Sequence, residues 1–371
     1  MKARVLRILF ALWLVAATSG ATAAGAGEAE ALAFHTGPVL GCAGPDFFTV
    51  AIRTTVPAAV TLKVGEKSYA SPAGLIHTFR AEGLKPATRY EYVLTATQAG
   101  AARPVTSGPY AVQTLAGEGE GKLVFVALGD SRTQPKVWQR VAAAAQKAQP
   151  AFVIHTGDLV GKGTDDALWD EQFWAPAKEM LATIPFYMVF GNHEQKAPLA
   201  YRLFVTPSGK SNWAQQIGPV FLIGVDLYLE SWKEDSANAK WLEETLKSSR
   251  APFVFLVGHA PAWSSAEHGN NKQVQQMIFA RLEKYKATAM IAGHDHCYER
   301  SEPGNGTTML TTGGGGANLY RPVHAKDNPH SKVFKSVFNY LVFTIEGDTC
   351  RMRALTPEGE QLDACEWKGR K

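Results

Sequence analysis

Five short apolar runs occur along the chain from residue 123 onward, at 123–128, 152–156, 186–190, 253–257 and 287–292. They are rich in β-branched and aromatic residues and show no regular polar alternation, which predicts strands buried on both faces. Between them, apolar residues recur at helical spacing in 135–148, 237–247 and 271–285. Strands that alternate with helices predict an α/β domain.

Residues 36–114 show a different pattern, in which short alternating segments follow one another between Gly and Pro turns. No stretch at helical spacing interrupts them, so this region predicts a small antiparallel β-sandwich. Residues 118–121 are polar and glycine-rich, as expected of a flexible joint. We therefore expect two domains, at 34–115 and 122–371.

Residues 1–23 have the pattern of a secretory signal peptide, with basic residues before an apolar run at 8–17 and small residues at 21–23. The apolar run is too short to span a membrane easily. Cleavage would remove three positive charges and no acidic residue, which takes the net charge from +4 to +1 and implies no strongly charged partner. We expect a secreted or periplasmic protein with no transmembrane anchor after cleavage and no nucleic-acid-binding surface. The sequence does not set the oligomeric state.

Each of the five apolar runs ends near a glycine that is followed by Asp, Asn or His. The side chains placed in this way are Asp130, Asp158, Asn192, His193, His259, His294 and His296. Glycine lets the backbone turn sharply, and the carboxyl edge of an α/β sheet is where ligand sites lie. Oxygen and imidazole ligands without thiolate suit Zn, Mn, Fe or Mg. The pattern therefore predicts one metal centre.

The five motifs, in their order, resemble those of the calcineurin-like metallophosphoesterases and, in detail, the purple acid phosphatase branch. Residues 296–300 and the four glycines at 313–316 are also similar to the segments after the last motif in that branch. The resemblance implies an α/β domain of two packed β-sheets flanked by helices. It also implies that the first domain is fibronectin type III-like, with Tyr90 as its hydrogen-bonded corner tyrosine.

The resemblance implies a centre of two metal ions, bridged by the carboxylate of Asp158. Asn192, His259 and His294 would bind one metal, and Asp130 and His296 the other. A metal-bound hydroxide would then attack phosphorus. His193 would protonate the leaving oxygen, or alternatively orient other groups without transferring a proton.

Two positions depart from the family pattern. Gly161 stands where purple acid phosphatases have tyrosine, and Arg132 stands where other calcineurin-like enzymes have histidine. Arginine offers no lone pair to a metal. The metal of Asp130, Asp158 and His296 would therefore lack one protein ligand.

Several further residues have more than one interpretation. Arg132 is either a bidentate phosphate clamp or part of a structural salt bridge. His268 either binds phosphate, as the resemblance implies, or is a solvated loop histidine. Tyr298 and Arg300 either support the last motif or line the pocket. His155 lies inside a strand, and we expect it to be a hydrogen-bonded core residue.

Four cysteines remain after residue 23, which allows at most two disulfides. Cys350 and Cys365 flank a turn signal at 356–359, so they could pair across a C-terminal hairpin. We expect Cys42 and Cys297 to be buried thiols.

Taken together, these features predict an exported metal-dependent phosphoesterase that acts on a small phosphate ester, with monoesters expected. One alternative is a phosphodiesterase or nucleotide hydrolase that uses the same site. Another is a catalytically silent metal- or phosphate-binding envelope protein.

Overall fold

The computed structural model describes residues 31–370 except 101–102, 118–120, 230 and 305. The predicted signal peptide and most of the predicted joint lie outside the described residues. Residues Leu32–Lys371 form one compact unit, and the domain boundaries at 34–115 and 122–371 stay a prediction. Within the described part of the chain, no helix is both long enough and apolar enough to cross a membrane.

The N-terminal region is a five-stranded antiparallel sheet. Its strands are β1 (Phe34–Ala43), β2 (Phe47–Val64), β3 (Lys67–Glu82), β4 (Arg89–Thr97) and β5 (Val105–Gln113). Strand β2 has two halves, separated by a register shift between Arg53 and Ala58. The first half lies between β1 and β3, and the second between β3 and β4. The long β2–β3 hairpin therefore pairs with β1 at one end and with β4 at the other, and the β-sandwich stays a prediction.

Tyr90 at the start of β4 has the hydrogen bond that was expected of it. The backbone N–H of Lys85 donates to the Tyr90 hydroxyl at 2.9 Å. This local geometry is that of a tyrosine corner, in which the hydroxyl bonds back to the backbone a few residues upstream. Assignment of the whole region as fibronectin type III-like stays a prediction.

The rest of the chain forms two larger sheets. Its strands are β6 (Leu123–Leu128), β7 (Phe152–His155), β8 (Phe186–Met188), β9 (Trp213–Ile217), β10 (Val220–Gly224), β11 (Phe253–Val257), β12 (Ala289–Ala292), β13 (Tyr298–Ser301), β14 (Thr308–Thr312), β15 (Ser331–Lys335), β16 (Tyr340–Glu346), β17 (Thr349–Leu355) and β18 (Gln361–Lys368). One sheet has six strands, in the order β18-β17-β16-β6-β7-β8. The other has seven, in the order β15-β13-β14-β12-β11-β10-β9. Each of the five predicted apolar runs contains one of these strands, so this part of the prediction is confirmed.

Helices lie in the three predicted stretches, 135–148, 237–247 and 271–285, and further helices between residues 166 and 203 were not predicted. They are α1 (Pro135–Lys147), α2 (Asp166–Leu168), α3 (Ala175–Thr183), α4 (Pro198–Leu203), α5 (Ala237–Ser248), α6 (Lys272–Val274) and α7 (Ala280–Lys284), with π-helical turns at Trp169–Trp174 and Gln275–Phe279. Phe125, Phe255 and Phe343 belong to the core cluster that joins the two sheets, with Phe125 and Phe343 stacked at 4.4 Å. Buried residues of α1 and α3 pack on the six-stranded sheet, and those of α5 and α7 on the seven-stranded sheet. The expected α/β arrangement of two packed sheets flanked by helices is confirmed.

The C-terminal hairpin β17–β18 is present, but its cysteines do not pair. Cys350 lies opposite Trp367, and Cys365 lies opposite Met352. The two cysteines are therefore two residues out of register, and both thiols are free. The expected disulfide is wrong, because a bridge needs the two residues closer than diagonal neighbours normally lie.

Candidate metal centre

The centre lies where the carboxyl ends of strands from both sheets meet. Strands β6, β7 and β8 run parallel and are followed by Asp130, Asp158 and Asn192. Strands β11 and β12 of the other sheet also run parallel and are followed by His259 and His294. One sheet thus supplies oxygen ligands and the other supplies imidazoles.

Two of the motif glycines are required by close packing against the carboxylates. A Cβ atom at Gly191 would lie 2.1 Å from Asp158 Oδ1, and one at Gly293 would lie 2.1 Å from Asp130 Oδ2. Both aspartates also have a left-handed backbone, with φ of 58° at Asp158 and 56° at Asp130. Such strained positions are typical of functional sites, and here they aim both carboxylates at the same space.

A first cluster of ligand atoms surrounds Nε2 of the fully buried His259. Its Nδ1–H donates to the carbonyl of Thr156 at 2.8 Å, so the lone pair is on Nε2. Nε2 lies 3.2 Å from Asn192 Oδ1, 3.3 Å from Asp158 Oδ1 and 3.2 Å from His294 Nδ1. Two ligands at ~2.1 Å from one metal lie about 3.0–3.4 Å apart. These contacts therefore fit ligands of a shared metal ion.

The charges of this cluster also favour a cation. Ligand atoms of Asp130, Asp158 and His259 lie within 4.8 Å of one another. Among the described residues, no other group of three or more His, Cys, Asp or Glu side chains has its ligand atoms within this distance. Burial opposes protonation of His259, but the Asp158 carboxylate outweighs it and raises the histidine pKa to about 9. Burial likewise raises the pKa of Asp130 well above its ordinary range. A metal ion would replace the proton that the cluster otherwise attracts.

His296 extends the cluster on the side of Asp130. The backbone N–H of His294 donates to the Asp130 carboxylate at 3.0 Å, and His296 Nε2 lies 3.6 Å from Asp130 Oδ1. The Nδ1–H of His296 donates to the carbonyl of Asn318 at 2.6 Å, which leaves the lone pair on Nε2. The six predicted ligands are thus brought together at one site.

The guanidinium of Arg132 lies between two of these ligands. Its Nε is 3.3 Å from Asp158 Oδ2, and its Nη2 is 3.3 Å from His296 Nε2. The side chain is 15 % exposed. The atoms that would bind a metal beside Asp130 therefore face an arginine, and this second position does not fit a metal ion as arranged.

His193 is held in one orientation beside the centre. Its backbone N–H donates to Asp158 Oδ1 at 3.0 Å, and its Nδ1–H donates to the carbonyl of Gly161 at 2.6 Å. Its Nε2 lies 3.9 Å from Asp158 Oδ2. The hydrogen bond from Nδ1–H fixes the ring, and the side chain is 28 % exposed.

His268 also lies at the centre. Its Nδ1 is 2.9 Å from Oδ1 of the buried Asp295, and its ring stacks on His294 with centroids 3.9 Å apart. The side chain is 42 % exposed. Its partners place it against the centre rather than free in a solvated loop.

Comparison with known proteins identifies the family. Residues 123–298 match the family model of the calcineurin-like phosphoesterases. Tartrate-resistant acid phosphatase type 5 of Mus musculus is 33% identical over 237 residues, which cover 52% of this chain and 72% of that protein. The chain belongs to the calcineurin-like phosphoesterase family. Purple acid phosphatase 4 of Arabidopsis thaliana is 24% identical over 251 residues, 58% of this chain and 74% of its own length.

The fold agrees with that family. The solved structure of purple acid phosphatase PPD1 from yellow lupin (Lupinus luteus) matches with a TM-score of 0.79 at 19% identity, over 89% of this chain and 74% of that one. The protein is therefore a purple acid phosphatase-like metallophosphoesterase, a hydrolase of phosphate esters. A dinuclear metal centre is typical of this family.

A buried glutamate holds two loops of this phosphoesterase together. Glu194, the last residue of its Gly-Asn-His-Glu motif, accepts backbone N–H groups from Asp158, Leu159 and Gly191, and so ties two motif loops together. Burial raises its pKa to about 7, against the effect of the N–H donors. The sequence pattern included Glu194, but nothing in the pattern showed which loop it would bind.

His155 is the hydrogen-bonded core residue that was expected. It is fully buried, accepts from the N–H of Gly157 at 3.1 Å, and donates from Nε2 to Ser131 Oγ at 3.0 Å. Burial lowers its pKa to about 3, so it is neutral. The interpretation of His155 as a core histidine rather than a ligand is confirmed.

The contacts of Tyr298 and Arg300 decide between their two interpretations. Tyr298 and Arg300 both donate to Asp363 of β18, at 2.6 and 2.7 Å, so they support the last motif rather than line the pocket. Cys42 and Cys297 are buried, as expected.

Tyrosines near the centre were missed by sequence reasoning. Tyr320 stacks on His296 with centroids 4.0 Å apart, and Tyr228 lies edge-on to His259 at 5.7 Å. Tyr320 shortly follows the four-glycine segment, which was the available signal. Tyr228 follows the carboxyl end of β10, in the same way as the metal-site motifs follow their strands.

Proposed function

We propose that this metallophosphoesterase is an exported phosphatase that hydrolyses phosphate monoesters, with His193 as general acid. The observation that carries the proposal is the approach of Asn192, Asp158 and His294 to the Nε2 atom of His259. Those four residues would hold a metal ion, and the donor set suits Fe, Zn, Mn or Mg. A metal ion bound there would activate water as a nucleophile near neutral pH.

The geometry of His193 supports a role in proton transfer. Because Nδ1–H is committed to the carbonyl of Gly161, the proton that the imidazolium can give is on Nε2. Nε2 lies 3.9 Å from Asp158 Oδ2 and the side chain is partly exposed, so a leaving oxygen would be able to approach it. Protonation there would stabilise an alkoxide as it departs.

Arg132 and His268 would bind the phosphate oxygens. Arginine presents several N–H donors in a planar fork that matches phosphate geometry. A monoester carries more negative charge than a diester and has one more free oxygen, so the charged guanidinium of Arg132 would favour monoesters. A small phosphate ester is therefore the proposed substrate.

Export is supported by the signal-peptide pattern of residues 1–23. Expression of the full chain in a bacterial host with a periplasm tests this part. Residues 1–23 should be absent from the N-terminus of the mature protein, which should be found outside the cytoplasm. An intact N-terminus on a cytoplasmic protein would contradict export.

Substrate class is tested with a panel of alkyl and nitrophenyl monoesters and diesters, combined with metal analysis. We expect monoesters to be hydrolysed faster. Preference for diesters would assign the same site to a phosphodiesterase, and metal binding without hydrolysis would indicate a silent binding protein.

The role of His193 is tested by leaving-group dependence. Nitrophenolate departs without help, whereas an alkoxide needs a proton, so His193→Ala should slow alkyl phosphates by about 10²–10⁴-fold and nitrophenyl phosphate far less. Metal content should not change. His35→Ala, at an exposed histidine of β1, is the control. Equal losses on both substrates would mean that His193 orients or binds instead.

A further inference from the structure

The second metal position of the family has an unusual occupant in this chain. A metal ion there would bind Asp130, Oδ2 of Asp158 and Nε2 of His296. The two family positions that could add a ligand hold Gly161, which has no side chain, and Arg132, which has no lone pair. The departure from the family therefore concerns one metal and leaves the position around His259 complete.

Arg132 contacts the very atoms that this metal would use. Its Nε–H donates to Asp158 Oδ2 and its Nη2–H donates to His296 Nε2, each at 3.3 Å. The other oxygen of Asp158 faces His259 at 3.3 Å and so remains available to the first metal. Oδ1 of Asp158 thus faces the predicted metal position at His259, and Oδ2 contacts the guanidinium of Arg132.

The position of Arg132 is fixed by its surroundings. Its backbone N–H donates to the carbonyl of Asp158, and its side chain is 15 % exposed. A guanidinium stays protonated at any ordinary pH. A metal ion bound to His296 and Asp158 would therefore be in contact with a permanent positive charge.

We propose that the Arg132 guanidinium replaces the second metal ion, so that the enzyme binds one metal per chain, at Asp158, Asn192, His259 and His294. This inference rests on the proposed function, in which the metal and Arg132 act on a phosphate ester. Arg132 supplies the second positive charge of the centre. Its remaining N–H groups, for which the described part of the chain records no partner, are free to bind a phosphate oxygen.

Metal stoichiometry tests this directly. The purified full-length protein is equilibrated with Mn²⁺, freed of unbound metal, and measured by elemental analysis and by electron paramagnetic resonance. We expect about one Mn²⁺ per chain and the spectrum of an isolated ion. Arg132→His places an imidazole two residues after Asp130, the spacing of the family ligand, so this variant should bind two ions and show a spin-coupled spectrum.

The matched control is Arg140→His, because Arg140 is an exposed arginine of α1 that pairs with Glu358. It should bind one ion, like the unaltered protein. Two spin-coupled ions in the unaltered protein would overturn the inference, whether or not Arg132→His folds. Hydrolysis of nitrophenyl phosphate is measured on the same samples. Activity with two bound metals would contradict only the inference, whereas one bound metal without activity would contradict only the proposed function.

Discussion

Replacing Gly191 by alanine should damage the centre although the side chain gained is a single methyl group. The new Cβ would lie 2.1 Å from Asp158 Oδ1 and 2.8 Å from His259 Cε1. Ordinary contact begins at 3.4 Å, so the carboxylate oxygen must retreat by the difference, about 1.3 Å. Misplacement of a reacting group by ~1 Å can cost about 10²-fold in rate. Overpacking of this kind costs about 1–3 kcal/mol of stability.

The assay compares Gly191→Ala with the unaltered protein by urea unfolding, by Zn²⁺ titration, and by kcat/KM on nitrophenyl phosphate at saturating Zn²⁺. Gly74→Ala is the control, because the nearest atom to a Cβ at Gly74 is 3.9 Å away. The control should change stability by less than about 0.5 kcal/mol. Unchanged Zn²⁺ affinity and rate in Gly191→Ala would refute the claim that this glycine is required for the carboxylate to reach the metal.

Three further outcomes are expected. The protein should not be purple with iron bound, because Gly161 stands where the family has its metal-binding tyrosine; a tyrosinate-to-iron band in the visible spectrum would show that another tyrosine has taken the role. His155→Phe should lower the free energy of unfolding by about 1–3 kcal/mol, because the buried N–H of Gly157 loses its acceptor, without loss of metal; lost metal would mean that His155 acts on the centre directly. Burial alone would raise the pKa of Asp363. The hydrogen bonds that its carboxylate accepts from Arg300 and Tyr298 have the larger effect together and hold this pKa below its ordinary value. Asp363→Asn should therefore destabilise the fold by about 1–3 kcal/mol at pH 7 in urea titrations, and the difference should shrink as the pH falls below ~4; a difference that persists at low pH would contradict an ionic role.

Local patterns sufficed for the strands and turns of the site. Asp130, Asp158 and His259 follow buried strands, and the carboxyl ends of parallel strands meet at one edge, so their convergence could be predicted. The hairpin β17–β18 could be predicted from its turn. Its register could not, which is why Cys350 and Cys365 were wrongly expected to pair.

Contacts between segments that are distant in the chain could not be predicted from the sequence. The stacking of Tyr320 on His296 and of His268 on His294 depends on how loops from several strands pack. The pattern gave two interpretations of Arg132, as a phosphate clamp or a salt bridge. Only the packing of the two sheets shows that it pairs with Asp158 and also contacts His296.

The role of the metal is tested most simply by Asp158→Asn, with metal content and phosphate release measured on the same preparation. A neutral amide cannot balance a bound cation or the guanidinium of Arg132 beside it, so both bound metal and hydrolysis should be lost. Full hydrolysis with unchanged metal content would show that the chemistry does not depend on a metal ion held by Asp158.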